Sequence, residues 1–317
     1  EIAPITMPLQ QDPYEFTHLN FDTFRGLPGL LADCLPDKYG NAIIKQWLRS
    51  KNKSDKDFSS IERLCYIGDR AMGALEFLPS QSVVSNKNST VVIHELVELA
   101  NKVVASKDFD ITSQNLDEEQ LNHILQVSSS AGGARAKAVV NWNQGTNHFC
   151  SGQALPKKGY ESWLIKFDGV TGNSDKELAD PLGYPRIEYV YSLLATKAGL
   201  RMSECRLLEE SKRGHFMTKR FDRVNGKKIH KLSLCGMAHM DFNDNISNSY
   251  EDLFKVAMYL QLPKKDKDQL IRLMIFNVIF RNQDDHTKNI EFLMDREGVW
   301  RLAPVFDLTY AYNPEGS

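Results

Sequence analysis

No apolar run in this chain approaches the length of a membrane span, and its start lacks the pattern of a secretion signal. Five cysteines (Cys34, Cys65, Cys150, Cys205, Cys235) are scattered, odd in number and never spaced C-x-x-C. That spacing argues against a zinc site or a disulfide frame and fits reduced thiols in a cytoplasmic protein. An excess of one charge sign is missing too. A formal charge of −2 gives no global pull toward nucleic acid or an anionic membrane, while a local basic patch stays compatible. No repeat, long low-complexity tract or G-x4-G-K-[ST] phosphate loop occurs. What remains is ordinary: 42% hydrophobic and 25% charged residues, as in soluble globular chains. The 317 residues suffice for a large core or two lobes. The chain opens at Glu1 without Met and stops ten residues after Asp307, so we expect further material beyond both ends.

The stretch Asn282-Gln-Asp-Asp-His-Thr-Lys-Asn289 organises the rest. An apolar run, Leu270 to Phe280, precedes it and reads as a buried helix. Ile290 to Met294 reads as a strand, Asp295 to Gly298 as a turn, and a second apolar piece ends at Asp307. Asp284 precedes Asn289 by five residues, and Asp307 follows Asn289 by eighteen, room for one hairpin. Protein kinases separate a base Asp from a metal-binding Asn in the same way and place a second metal-binding Asp on a later strand. A hydroxyl nucleophile needs a carboxylate to take its proton, and Mg²⁺ needs oxygen ligands. D-x4-N alone also fits a solvated acidic turn; the helix–loop–hairpin context and the later Asp favour the catalytic reading. Asp285 lacks the offset, and His286 reads as a structural hydrogen-bonding residue.

The preceding chain reads as helices followed by strands. Helices are expected from Asn41 to Leu48, Ser59 to Ile67 (Ser60 and Arg63 outward), Val91 to Ala105 and Asp117 to Leu125. Gly73 to Phe77 is a strand candidate and Ser80 to Thr90 a surface loop. From about Val127 strands take over: Ala138 to Trp142, His148 to Cys150 and Trp163 to Phe167. A helix then opens at Pro185 and ends before Gly199. Phe216 to Phe221 and Ile229 to Leu232 are expected to form a hairpin around Val224-Asn-Gly226. Ser249-x-x-Asp252 caps a helix through Leu260. A β-rich half followed by an α-rich half is an α+β plan with a cleft between them.

Three further segments carry chemistry in this plan. Ser128 to Lys137 is a Ser/Gly turn whose N–H groups could cradle phosphates, or a plain loop. Lys166 lies mid-strand between apolar neighbours; it either snorkels outward or contacts phosphate with Glu188 as partner. Lys219-Arg-Phe221 ends a strand whose backbone could face an adenine edge, or is an edge strand with solvated charges.

Together these segments resemble the HipA family, toxins of bacterial toxin–antitoxin pairs that are Ser/Thr protein kinases. The carriers are Ser130-Ala-Gly-Gly-Ala-Arg-Ala-Lys137, Leu164-Ile-Lys166, Arg220-Phe-Asp-Arg223, Asp284 to Asn289 and Pro304-Val-Phe-Asp307, over roughly residues 20 to 312. The resemblance implies an α+β, two-lobed protein-kinase-like fold. Residues 1–126 would be an extra N-terminal subdomain, 127–223 a β-rich nucleotide-binding lobe, and 224–317 an α-rich catalytic lobe, incomplete at its end. It implies ATP and Mg²⁺, with Asp284 as proton acceptor and Asn289 and Asp307 on the metal. The nucleotide would be held by Gly132, Gly133, Ala134, Arg135, Ala136 and Lys137 over the phosphates. Lys166 would contact phosphate, Lys219, Arg220 and Phe221 form the hinge, and His286 and Lys288 complete the set. Ser130 would be self-phosphorylated. Implied partners are a HipB-like helix-turn-helix antitoxin, DNA only through it, and a protein substrate such as an aminoacyl-tRNA synthetase, notably the glutamyl enzyme, in a bacterial cytoplasm with no membrane.

Departures from the family are Lys219, where an acidic residue is common, and the apparent loss of the first N-terminal strands and of the helices after Asp307. Rival readings are a small-molecule kinase with the same loop and a catalytically silent corepressor that serves its antitoxin.

Overall fold

The computed structural model describes residues 1–81, 89–105, 118–125, 127, 133, 135–170, 183–244 and 247–312. The N-terminal part is helical: α1 (Phe21–Phe24), α2 (Gly29–Ala32), α3 (Lys38–Ser50), α4 (Ser60–Ile67), α5 (Ile93–Ala105) and α6 (Glu118–Leu125). Side chains set the starts. Asp37 caps α3 by accepting the Gly40 N–H, and Ser59 and Glu62 form a reciprocal capping box on α4.

A five-stranded antiparallel sheet follows: β1 (Lys137–Asn143), β2 (His148–Ser151), β3 (Glu161–Lys166), β4 (Cys205–Glu210) and β5 (Arg213–Lys219), in the order β2-β1-β3-β5-β4. Helix α7 (Tyr184–Lys197) intervenes between β3 and β4, with Pro185 in its first turn. The helical part and one face of this sheet share a core around Phe24, Ile43, Leu48, Trp163 and Met217.

Next come a two-stranded ribbon, β6 (Arg223–Val224) and β7 (Lys227–Lys228), then β8 (His230–Ser233), α8 (Leu234–Ala238), α9 (Tyr250–Tyr259), α10 (Lys264–Phe280), β9 (Glu291–Met294) and β10 (Trp300–Leu302). Strands β8, β9 and β10 make a second antiparallel sheet, β9 central. Its apolar face and α7 to α10 enclose a second core around Leu232, Leu270, Phe276 and Phe292. The architecture is α+β and two-lobed, with antiparallel sheets in both lobes. Among the described residues no helix is long and apolar enough to cross a membrane.

Four expectations need correction. Phe216 to Phe221 does not pair with Ile229 to Leu232. β5 pairs with β3 and β4, the Asn225–Gly226 turn closes only the β6–β7 ribbon, and β8 joins β9. Gly73 to Phe77 is not a strand: Gly73 adopts φ +79° and its N–H is taken by Asp222. Arg63 does not point outward; its guanidinium is largely covered and reaches Asn41 and Asp55. Helix α10 is buried on one side only. Leu270, Leu273 and Phe276 face the core, while Ile271, Ile275, Val278 and Ile279 are exposed. The Ser80 to Thr90 loop falls largely outside the described residues.

The two lobes meet at a close crossing of α2 and α8. A Cβ on Gly29 would stand 2.3 Å from the Gly236 carbonyl oxygen, so glycine alone fits there. The Gly29 N–H donates to His239 Nε2 at 2.9 Å, and the ring packs edge-on against Phe16 and Phe24. Burial, and next the nearby His18, push the His239 imidazole down to about 4. A protonated Nε2 could not accept the Gly29 N–H. Since the unfolded chain takes up this proton first, stability from His239 is present above about pH 6.5 and is lost as pH falls toward 4. The expected loss is on the order of 1–2 kcal/mol, reduced from full linkage by partial exposure of the ring. Denaturant titrations at pH 7 and pH 5 should show it in the natural chain, and His239→Asn should flatten the difference.

Candidate functional site: a lysine–carboxylate cluster facing a catalytic-type loop

Strand register brings two lysines face to face: Lys137 on β1 lies opposite Lys166 on β3. Like charges placed so repel unless something neutralises them. Each has its own carboxylates. Lys166 Nζ bonds Glu188 on α7 at 2.6 Å and Asp307 at 2.5 Å, and all three are substantially withdrawn from water. Lys137 Nζ reaches Asp37 at 3.2 Å. Burial alone would lower the Lys166 ammonium, yet Asp307 and Glu188 hold it above the ordinary lysine value. Burial would likewise raise the Asp307 carboxyl, but Lys166, Lys137 and Arg135 hold it well below the usual range. Glu188 is shifted upward by burial, which Lys166 only partly opposes. Asp307 sits at φ +55° just beyond the β9–β10 hairpin, a left-handed conformation uncommon outside Gly, Asn and Asp.

The loop after α10 faces this cluster across one cavity, which Lys166, Glu188, Asp284, Asn289 and Asp307 all line. Asn289 closes the loop on itself: its Nδ2 donates to the Asp284 carbonyl at 2.7 Å and its N–H to the His286 carbonyl at 2.8 Å. This fixes the Asp284–Asn289 spacing as a geometry. Asp285 lines the cavity as well, and its carboxylate accepts from the Tyr250 hydroxyl at 2.6 Å and from Asn277 at 3.3 Å. Both aspartates lie on the cavity wall, and their bonds differ: the Asp285 carboxylate anchors the loop to α9 and α10, while Asp284 holds Asn289 through its backbone carbonyl.

The remaining expected site residues fall as follows. Gly133 lines the cavity, and a Cβ there would meet Lys137 Nζ at 2.7 Å. The Arg135 guanidinium lies 3.7 Å from the centre of the Tyr184 ring, and Ala136 is fully buried behind it. Gly132, Ala134 and Ser130 lie outside the described residues. At the end of β5 the Lys219 side chain goes to Glu161, and Arg220 grips Asp222 in two hydrogen bonds. The Lys219 and Arg220 N–H groups bond Glu204 and Ser162 carbonyls, so only the Phe221 N–H is outside these backbone bonds. The Phe221 ring packs 5.8 Å from Phe306, both on the cavity. Lys288 lies 4.2 Å above the Phe242 ring, which His286 meets edge-on.

Sequence reasoning missed two contacts. Asp37 caps a helix in the N-terminal part while reaching Lys137 a hundred residues later. Asp222 collects Arg220, Arg223 and the Gly73 N–H, and so ties the end of β5 to the N-terminal part. The cap was readable from Asp before a helix; neither partner was, because both contacts are long-range.

The donor set suits a magnesium–nucleotide pair. Glu188 Oε2 and His286 Nδ1 are enclosed with no partner among the described residues. Asp307 and the Asn289 amide supply oxygens beside three cations that would attract phosphate. No group of three or more His, Cys, Asp or Glu gathers among the described residues as a self-sufficient metal site. Magnesium does not require one, since phosphates and waters serve as its other ligands.

A strand lysine held by a helix glutamate, opposite an Asp-x4-Asn loop and a later Asp, is the arrangement of a protein-kinase-like fold. Residues 129–317 match the HipA-like C-terminal domain, and residues 1–78 match the HipA N-terminal domain. The chain belongs to the HipA family. Its fold is similar to that of HipA in the HipA, HipB and operator DNA complex of the Shewanella oneidensis MR-1 toxin antitoxin system. That likeness has TM-score 0.59 at 18% identity, over 89% of this chain and 63% of that one. The present chain therefore spans less than two thirds of that protein. A Helicobacter pylori proinflammatory kinase, CtkA, is 19% identical over 46% of this chain and 50% of that one, with TM-score 0.34, too low to carry an argument. No curated protein matches the chain.

Proposed function

We propose that the chain is the kinase portion of a HipA-type toxin, an ATP-dependent enzyme that phosphorylates Ser or Thr of a protein and so arrests growth. The observation that carries this is Lys166, held between Glu188 and Asp307 on the same cavity as Asp284 and Asn289. In this reading Asp284 takes the hydroxyl proton of the substrate. Lys166, with Lys137 and Arg135, orients the phosphates, and Asn289 and Asp307 hold Mg²⁺, which when bound would neutralise charge on the transferring group. Phe221 offers its N–H to adenine, with its ring and Phe306 as an apolar wall; Lys219 and Arg220 serve the hinge through backbone. The division into residues 1–126, 127–223 and 224–317 is part of the same reading. A HipB-like antitoxin is its natural partner, with DNA reached only through it. An aminoacyl-tRNA synthetase, such as the glutamyl enzyme, is its first candidate substrate. Phosphoproteomics on matched cells expressing the natural chain or Asp284→Asn tests it. A Ser or Thr phosphosite on a translation protein that rises only with the natural chain is the expected result. Identical phosphoproteomes would refute the protein-kinase reading and leave the small-molecule kinase and the silent corepressor.

Self-phosphorylation at Ser130 belongs to this proposal. If Ser130 lies over the phosphates, as the family resemblance implies, a phosphate there would add roughly −1.5 to −2 charges near the triphosphate and disfavour nucleotide binding. Mass spectrometry of protein incubated with Mg²⁺ and ATP should place phosphate on Ser130 in the natural chain and not in Asp284→Asn. Label absent from Ser128, Ser129 and Ser130 alike, or equal in both proteins, would refute it.

A further inference from the structure

Helix α3 begins beside the lysine–carboxylate cluster and leads away from it. Its cap, Asp37, holds Lys137 next to the cluster, and the following residue, Lys38, opens the helix. Lys38, Asn41, Ala42, Lys45, Gln46 and Arg49 line the same cavity as Asp284. Steps of three and four residues put all six on one helix face. That face carries three cations and no acid. Neither Lys38 nor Arg49 forms an ion pair among the described residues, and both are exposed. Lys45 is only loosely tied, 3.7 Å from an Asp55 that Arg63 holds at 2.5 Å. Two exposed apolar side chains, Phe21 (64%) and Ile61 (55%), line the same wall. So does Asp22, 83% exposed beside Arg25, which would repel a continuous run of phosphates. A peptide with discrete acids can set them against the three cations and its apolar residues against Phe21 and Ile61 while keeping its acids clear of Asp22 and Asp55, which a continuous run of phosphates cannot do.

The geometry points to α3 as a docking rail for an acidic segment of the protein substrate, a specificity element that rests on the kinase reading above. From Lys38 to Arg49 the helix rises about 16 Å. An extended segment of roughly five residues covers that length, so acidic residues within about five positions of the accepting hydroxyl would engage the stripe.

The test uses fluorescent peptide pools with a central Ser, flanked by Asp and Glu or by their isosteric Asn and Gln. They are titrated against the natural chain and Lys45→Glu/Arg49→Glu with Mg²⁺ and a non-hydrolysable ATP analogue. The same pools are offered as substrates with ATP. The natural chain should bind the acidic pool about tenfold tighter at low salt, with the difference shrinking as salt screens it. The double variant should lose this preference while its nucleotide affinity and melting temperature stay unchanged. Equal binding of both pools, or a preference that survives charge reversal, overturns the rail. So does single-stranded RNA displacing the acidic pool from the natural chain but not from the variant, which would make the stripe a nucleic-acid site. Acid-selective binding without phosphorylation upholds the rail and sinks the kinase reading. Phosphorylation without acid selectivity does the reverse.

Discussion

Asp284→Asn is expected to slow phosphoryl transfer by about 10²–10⁴-fold, the range a positioned general base supplies. Affinity for ATP with Mg²⁺ should change little, because the substitution keeps the side chain's size and the Asn289 bond runs to the backbone carbonyl of Asp284. Asp285→Asn is the control. Its carboxylate is engaged by Tyr250 and Asn277, so its loss should lower stability more than turnover. Stopped-time assays on both variants decide the register of the loop. A milder effect for Asp284→Asn than for Asp285→Asn would reverse the assignment.

The second large effect is expected at Lys166. Removing its charge by Lys166→Met leaves Glu188 and Asp307 as neighbouring, largely buried carboxylates without their shared cation. Breaking a buried pair in this way costs about 3–5 kcal/mol. The penalty should shrink as pH falls, since the stranded carboxylates escape it by taking up protons. Activity should vanish along with nucleotide orientation. The double variant Lys166→Met/Glu188→Gln separates the two roles: stability should recover in thermal melts, and activity should not. Recovery of activity as well would show that Lys166 is a structural lysine only.

Local pattern made much of this site readable. The helix before Asp284, the hairpin after Asn289 and the strand holding Lys166 each announce themselves within a few residues, so their order could be placed from sequence. The Glu188 partner followed from a helix start at Pro185 and a lysine flanked by apolar residues. Features that depend on distant partners did not show. β4 was missed because Cys-Arg-Leu-Leu-Glu-Glu has no clean alternation; it is an edge strand paired on one side only. The hairpin error arose at Asn225–Gly226, a strong turn signal with both residues at positive φ that closes a ribbon of two-residue strands. In α10 apolar residues fall on both sides of the helix and the one polar residue late in the run, Asn277, is buried, so no clean stripe shows which side packs inward. The opposition of Lys137 and Lys166 needed strand register, which composition does not encode.

On the proposed reading Lys166, Asn289 and Asp307 hold ATP with magnesium. Calorimetric titration of ATP, with and without Mg²⁺, into the natural chain and into Asp307→Ala tests it most directly. The natural chain should bind ATP markedly tighter with Mg²⁺ present, and Asp307→Ala should lose that enhancement. An enhancement that persists in Asp307→Ala, or ATP that fails to bind the natural chain under either condition, would contradict the assignment.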